Sequence, residues 1–352
     1  MIITLCKELL REAIYKNDLN HSLRGVKMTL GSGRFAYSQG LQPLGNGAYA
    51  WLQPDGSWGW SNAGLICDSG QSLLVDTLFD VPLTEMMLAA MRRAEPAAVR
   101  INTLVNTHAN GDHYNGNECA EGAQIIASRA CAEQMAADPP SRLAAMKANA
   151  ASMGLPGKFF AEVFAPFDFA GVSLTLPTRI FDKELSVQVG AKRVELINVG
   201  PAHTAGDTLV HVPADKLLFT GDILFIDGAP IMWEGPIGNW IGACDRMLAM
   251  DVEIIVPGHG PVTDKNGVRA VKSYLEYITR EARQRYDAGL SATDAAHDIA
   301  LGDYASWGDA ERIVVNVASL YREFSGDASP PNVLELFGLM AELYYARKKR
   351  TG

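Results

Sequence analysis

The run THANGDHYNGN, Thr107 to Asn117, places His108, Asp112 and His113 within six residues, with Asn110 between the first histidine and the Asp112-His113 pair. Imidazole nitrogen and carboxylate oxygen are donors that zinc and similar ions accept, in shells of about four to six ligands. On a tight loop or first helical turn, His108 and Asp112 fall on one side and His113 on the other. That arrangement suits two neighbouring cations better than one. Three further candidates sit in short glycine-containing runs: His203 in AHTAGD, Asp222 in TGD and His259 in GHG. The chain has seven histidines, and four of them belong to these runs. His203 or His259 alone reads equally well as a plain loop histidine, but together with the first cluster and Asp222 they read as ligands. Asp222, with two carboxylate oxygens, is suited to bridging. His211, inside TLVHVP, has the period of a sheet residue, and His21 and His297 carry no such signal. Asp76 at a strand end either orients a ligand imidazole from outside the site or caps the next helix.

Such residues need strands to deliver them. GAYAWLQPDGSWGW reads as two extended runs joined at Pro54-Asp55-Gly56, and NAGLICDSGQSLLVDT as a second pair ending at Asp76. A helix follows, with Leu83, Met87, Ala90 and Met91 on one stripe, and then VRINTLVNT, a strand aimed at His108. AQIIAS is another strand, and residues 129–165 hold helical pieces broken at DPP and GLPG. Strands at 186–189 and 193–199 lead to His203, the pair in DTLVHVPADKLLFTGD delivers Asp222, and VEIIVPG delivers His259. Ligands of layered α/β proteins gather at such strand ends.

From about residue 268 the pattern turns helical. Val271, Leu275 and Ile278 share one stripe. Ile313, Val317, Leu320 and Phe324 share another, started by Asp309 in a capping position. A last helix has Asn332 as its cap with Glu335 three residues on, and Val333, Phe337, Met340 and Tyr344 on its apolar side. These helices form either a small subdomain packed on the core or a dimerisation arm, so a homodimer stays open. The opening MIITLCKELLREAIYKNDLN reads as a peripheral helix and not a signal peptide.

HANGDH, AHTAGD, TGD and GHG, in this order, resemble the metallo-β-lactamase superfamily from about residue 44 to 265. The resemblance implies an α/β fold, a four-layer αβ/βα sandwich with a C-terminal helical extension, and metals at one edge of two facing sheets. It divides the chain into an N-terminal helix and lead-in at 1–43, a catalytic domain at 44–267 with a helical insert around 129–167, and helices at 268–352. In the family's His-x-His-x-Asp-His pattern, Asn110 occupies the place of the second histidine. The resemblance implies one metal position from His108, His203 and residue 110, and another from Asp112, His113 and His259, with Asp222 shared. An amide oxygen is a weaker donor than imidazole, so the second position fills first. A single ion, an uneven pair, and a pair in which Asn110 instead bonds substrate all stay open. Zn2+ is the expected cofactor, as one or two ions, and iron and manganese suit the same donors.

A cation so held lowers the pKa of water from near 16 toward about 7, which serves attack on an ester, lactone, amide or thioester carbonyl. Asp112 and Asp222 are the expected catalytic residues, Asp112 orienting the water and Asp222 keeping the metal positions in register. Aromatics around the site (Trp58, Trp60, Phe159, Phe160, Phe164, Phe167, Phe169, Phe225, Trp233, Trp240) point either to an apolar or aromatic small-molecule substrate or to packing of the insert. Glu234 is either an auxiliary acid–base group or a capping residue. The leading reading is a metal-dependent hydrolase. Alternatives within the family are a non-haem iron oxidoreductase of the persulfide dioxygenase type and a glyoxalase II-like thioester hydrolase. The latter needs a basic patch, for which Arg129, Arg142, Lys147 and Lys158 are the candidates.

A formal charge of −9, from 31 basic and 40 acidic residues, disfavours a nucleic-acid partner. No run has the roughly 20 apolar residues of a membrane span. Five scattered cysteines, odd in number, suit a reduced, cytoplasmic protein. No G-x-S-x-G elbow supports a serine hydrolase, and no G-x-G-x-x-G opens a βαβ unit.

Overall fold

The computed structural model describes residues 35–351. The helix expected at the N-terminus and His21 lie outside the described residues. Strands β1 (Gly40–Gly45), β2 (Ala48–Leu52), β3 (Ala63–Asp68), β4 (Gln71–Val75), β5 (Thr103–Val105), β6 (Gln124–Ser128) and β7 (Arg179–Phe181) form one sheet in sequence order. Strands β8 (Glu184–Val189), β9 (Lys192–Asn198), β10 (Thr208–Val212), β11 (Leu217–Phe219) and β12 (Ile254–Val256) form the second, ordered β12-β11-β10-β9-β8. From β4 to β7 the pairing is parallel. Parallel pairing needs crossovers, here helical: α1 (Val81–Ala94), α2 (Gly111–Tyr114), then α3 (Arg129–Ala137), α4 (Ser141–Asn149) and α5 (Gly154–Val163).

The two sheets face one another across Leu52, Ile66, Leu73, Val105 and Ile126 on one side and Val194, Leu196, Val210 and Phe219 on the other. The outer face of the first sheet, with Leu65 and Leu74, packs on Met87, Leu88 and Met91 of α1. Asp80 caps this helix, accepting from the Leu83 N–H at 2.8 Å. The stripe is turned slightly from the expected one: Thr84 and Leu88 are buried, while Leu83 and Ala90 are half-buried. The outer face of the second sheet, with Leu209, Leu218 and Ile255, is covered by helices α6 (Ile237–Ala249), α7 (Lys265–Asp287), α8 (Ala292–Asp298), α9 (Ile313–Ser325) and α10 (Val333–Thr351). Both faces of β10 are therefore buried, Val210 and Val212 toward the sandwich and Leu209 toward the helices. The result is the four-layer α/β sandwich with C-terminal helices.

Three local expectations are corrected. Residues after Gly56 do not form a second strand beside β2; they are turns leading to β3, held by Gln53 Nε2 donating to the Ser61 carbonyl at 2.7 Å. GLPG opens α5 and does not break a helix. Asp309 makes no side-chain cap: it stands at φ 53° before a 3-10 turn and pairs with Arg312 at 3.0 Å. Asn332 does cap α10, accepting from the Glu335 N–H at 3.3 Å while its amide donates to the Glu335 carboxylate at 3.1 Å. The C-terminal helices pack on the core, and α10 lies against α5. No helix among the described residues is long and apolar enough to cross a membrane.

Candidate metal centre

Each candidate ligand is aimed by its own loop. Asp76, at φ 62° after β4, accepts from the Thr107 N–H at 2.7 Å, the Thr107 hydroxyl at 2.7 Å and His113 Nδ1 at 2.9 Å. The Thr107 proton is thus spent on Asp76, and His108 Nδ1 donates to Thr107 Oγ1 at 3.0 Å. His203 Nδ1 donates to the Ile231 carbonyl at 2.6 Å and His259 Nδ1 to the Gly56 carbonyl at 3.0 Å. All four rings therefore point Nδ1 at an outer partner and turn Nε2 inward, the arrangement by which outer partners orient ligand imidazoles.

Backbone supports complete the loops. Asp207 gathers the His203 loop, accepting from the Ala202 N–H at 3.1 Å and the Thr204 hydroxyl at 2.8 Å. Asn62 gathers the His259 loop, donating to the Pro257 and Gly260 carbonyls at 3.0 and 2.8 Å. Ser61 donates to the Asp112 carbonyl at 2.6 Å. Two glycines are steric requirements. A Cβ at Gly258 would lie 1.9 Å from Asp222 Oδ1, and Gly221, at φ +49°, would bring one 2.5 Å from Thr107 Oγ1.

The six candidates converge. Asp222 Oδ2 lies 3.3 Å from His203 Nε2, 3.5 Å from His259 Nε2 and 3.6 Å from His108 Nε2, and its Oδ1 lies 3.1 Å from His113 Nε2. Asp112 Oδ2 is 3.2 Å from His259 Nε2 and 3.8 Å from His113 Nε2. Two compact donor triads result, His108 with His113 and Asp222, and Asp112 with His113 and His259. The second matches the expected grouping. The first differs from the expected one in holding His113 and not His203, although His203 Nε2 also lies beside Asp222 and is 2.6 Å from Asn110 Oδ1. Asp76 lies outside the cluster, behind His113 and Thr107.

The donor set fits a divalent cation. His108 Nε2, His113 Nε2 and Asp222 Oδ1 are buried and make no hydrogen bond, though they face one another. Burial disfavours the imidazolium at His113, but Asp222 and Asp112 outweigh it and hold the ring protonated well above the usual histidine range. His259 is pushed up to about 9 against burial by Asp222 and Asp112. At His108 burial and the charge of His113 prevail, and the ring stays neutral. Burial would raise Asp222, but His259, His113 and His108 hold it well below the carboxylate range. Carboxylates that keep protons on two convergent imidazoles offer the same ligand field to a cation, which displaces those protons on binding.

The cluster floors a cavity of about 380 Å³. Of the aromatics singled out in the sequence, Trp58, Phe160, Phe164, Phe225 and Trp233 line it, while Phe159, Phe167, Phe169 and Trp240 are core packing. Glu234 is at the wall, accepting from Gln134 Nε2 at 3.2 Å. The expected basic candidates form no clamp: Arg129 pairs with Asp182, Arg142 with Asp138, Lys147 donates to the carbonyls of Phe164 and Ala165, and Lys158 lies over the Tyr345 ring. The sequence reading missed Arg312, Val333 and Phe337 of the C-terminal helices, which line the same cavity. It also missed Asp207 and Asn62, although AHTAGD carried the former in plain view. His211 is a sheet residue, bonded to Glu195 across the strands at 3.1 Å.

The family model of the metallo-beta-lactamase superfamily matches residues 56–259. Human acyl-coenzyme A thioesterase MBLAC2 is 25% identical over 238 residues, covering 66% of this chain and 79% of the relative. The hydroxyacylglutathione hydrolase of Maricaulis maris (strain MCS10) is 23% identical over 189 residues, 53% of this chain and 56% of that one. Among solved structures, the inverting sec-alkylsulfatase Pisa1 from Pseudomonas sp. superposes with a TM-score of 0.59 at 17% identity, over 84% of this chain and 52% of its own.

Proposed function

The chain belongs to the metallo-beta-lactamase superfamily, whose model spans more than half of it, and from that premise we propose that it hydrolyses a small ester, thioester, lactone or amide carrying an apolar or aromatic group. It is a metal-dependent hydrolytic enzyme; the substrate class, Zn2+ as the ion and the ligand roles are the proposed part. The observation that carries the reading is the set of four imidazoles with Nδ1–H turned outward and Nε2 turned onto Asp222 and Asp112, beneath a cavity walled by aromatic rings.

His108, Asp112, His113, His203, Asp222 and His259 would hold the metal. Bound there, a divalent ion supplies Lewis acidity and makes water ionisable near neutral pH. Asp112 is the cluster's carboxylate most open to the cavity, so it is placed to orient a water and receive its proton. Asp222, within 3.6 Å of all four Nε2 atoms, keeps the donors in register. Asn110 lines the cavity and offers a neutral oxygen in place of an imidazole, which weakens the position beside His203 and leaves Asp112, His113, His259 and Asp222 as the tighter one. The similarity to a thioesterase and to a hydroxyacylglutathione hydrolase favours thioesters within the carbonyl class. The engagement of Arg129, Arg142, Lys147 and Lys158 elsewhere weighs against a polyanionic leaving group as the main handle.

The deciding experiment measures metal identity and equivalents per chain after purification without added metal, beside turnover of thioesters, aryl esters, lactones and β-lactams. Asp112→Ala and His259→Ala should lose metal and turnover together. Undiminished turnover in rigorously metal-stripped protein would end the proposal. Bound iron with oxygen uptake would move the reading to the oxidoreductase alternative.

A further inference from the structure

The apolar stripe of α10 does two jobs along its length. Its C-terminal part anchors the helix: Met340 and Ala341 are fully buried, and Tyr344 lies 5.1 Å from the Phe159 ring of α5. Its first turns face the cavity instead. Val333 and Phe337, one helical turn apart, line the same space as Asp112, Asp222 and His259. Phe337 sits about 6 Å, ring to ring, from Trp58 and Phe160, which continue the wall toward the metal cluster. Val333 and its neighbour Leu334 are 43% and 50% exposed, and Leu155 at the start of α5 is 40% exposed. Val333 is thus an exposed apolar residue at the edge of the cavity.

We propose that the first turns of α10 form the substrate-size gauge of the active site, with Val333 at the mouth and Phe337 at the wall selecting a large apolar acyl or aryl group. This deepens the hydrolase reading and rests on it. Size decides the class. An engineered apolar cavity of about 150 Å³ takes benzene, so about 380 Å³ accepts a two-ring group or an alkyl chain of similar bulk. A longer chain leaves past Val333, the exposed apolar residue of the lining. The reacting carbonyl, at the other end, rests against Asp112 and the imidazole edges. Hydrolysis adds water across the acyl bond: oxygen joins the carbonyl carbon, the bond to sulfur or oxygen breaks, and the leaving thiol or alcohol takes the proton.

The test compares N-acetylcysteamine thioesters of 2-naphthoate and acetate in the metal-loaded enzyme. Val333→Trp narrows the mouth at a half-exposed position on which the fold does not depend. It should lower the naphthoyl-to-acetyl ratio of kcat/KM at least tenfold, with metal content unchanged. Phe337→Ala should move the preference the other way, toward a 4-biphenylcarbonyl thioester. Ratios within twofold of wild type in both variants would overturn the proposal and leave the hydrolase reading standing. Calorimetric binding of the neutral, uncleavable 2-acetylnaphthalene separates the two ideas. If no thioester, ester or lactone is cleaved, yet the ketone binds and Val333→Trp weakens it tenfold or more, the gauge stands and the hydrolase reading falls. Equal binding of the ketone by wild type and Val333→Trp would count against the gauge.

Discussion

Asn110 Oδ1 lies 2.6 Å from His203 Nε2, and the two atoms are poorly matched as a hydrogen-bonded pair. His203 Nδ1 already donates to the Ile231 carbonyl, and burial keeps the ring neutral despite Asp222. Nε2 then carries a lone pair and has no proton to give the amide oxygen. Two lone pairs brought this close suit a shared cation, held weakly because one donor is an amide. Under limiting metal the protein should bind one equivalent tightly. Asn110→His should raise affinity for a second equivalent by about tenfold or more, the scale on which residues around a metal tune its binding. Competition with a chelator of known affinity reads this out. An unchanged second equivalent would remove Asn110 from the account of an uneven site.

Asp76 does not line the cavity above the cluster, yet two of the candidate ligands depend on it. It holds His113 Nδ1 directly and His108 through the Thr107 hydroxyl. Asp76→Asn keeps the side chain's shape, and asparagine tolerates the left-handed backbone at φ 62°. The amide cannot accept all three donors as the carboxylate does. Metal affinity should drop about 10–100-fold with the fold intact by circular dichroism. Unaltered affinity would mean that Asp76 only shapes the loop.

How much of this was readable in the chain depends on how local the cause is. Asp222 and His259 follow the short apolar strands β11 and β12, and a buried strand ending in glycine and a ligand is a local pattern. The capping of α10 by Asn332 is local too. The loop around Trp58 is not. Its aromatic and glycine alternation and its turn residues mimic a hairpin, but its position is set by Trp58 Nε1 donating to Glu311 at 2.9 Å, 253 positions along the chain. Asp309 resembles a helix cap in sequence and is instead tied to Arg312. Likewise, periodicity marks Val333 and Phe337 as apolar-facing without telling a core from a cavity.

Helix α10 is clasped to α5 by Glu162, which accepts from Tyr344 at 3.0 Å, Tyr345 at 2.8 Å and Lys348 at 2.6 Å. Lys348 foremost holds the Glu162 carboxyl below its usual range. A carboxyl whose pKa is lowered by folding stabilises the folded form above its unfolded pKa, about 4.3, and loses that contribution as pH falls through the folded value. The clasp is partly exposed, so it contributes about 0.5–1 kcal/mol. Glu162→Gln should lower the melting temperature by about 1–2 °C at pH 7, and the gap from wild type should shrink as pH falls below the unfolded value. A gap that does not shrink on acidification would assign the loss to packing and not to charge.

Arg312 is the cation in the cavity wall, and it holds that wall together. Its guanidinium pairs with Asp309 at 3.0 Å, donates to the Ala229 carbonyl at 2.9 Å, and lies 4.5 Å from the Trp58 ring centre and 5.2 Å from that of Phe225. It thus joins the start of α9 to the loop that carries Phe225, which in turn stacks on His259 at 5.1 Å. Removing one partner of a buried pair leaves the other charge uncompensated, at a cost of about 3–5 kcal/mol, and burial already pushes Asp309 upward. Arg312→Met should therefore lower the denaturation midpoint strongly. Adding Asp309→Asn removes the stranded charge, so the double variant should regain much of the loss, with a coupling of roughly 1–3 kcal/mol in the double-mutant cycle. If the double variant is no more stable than Arg312→Met alone, the ion pair is not the source, and the stacking on Trp58 and the bond to Ala229 must carry the effect.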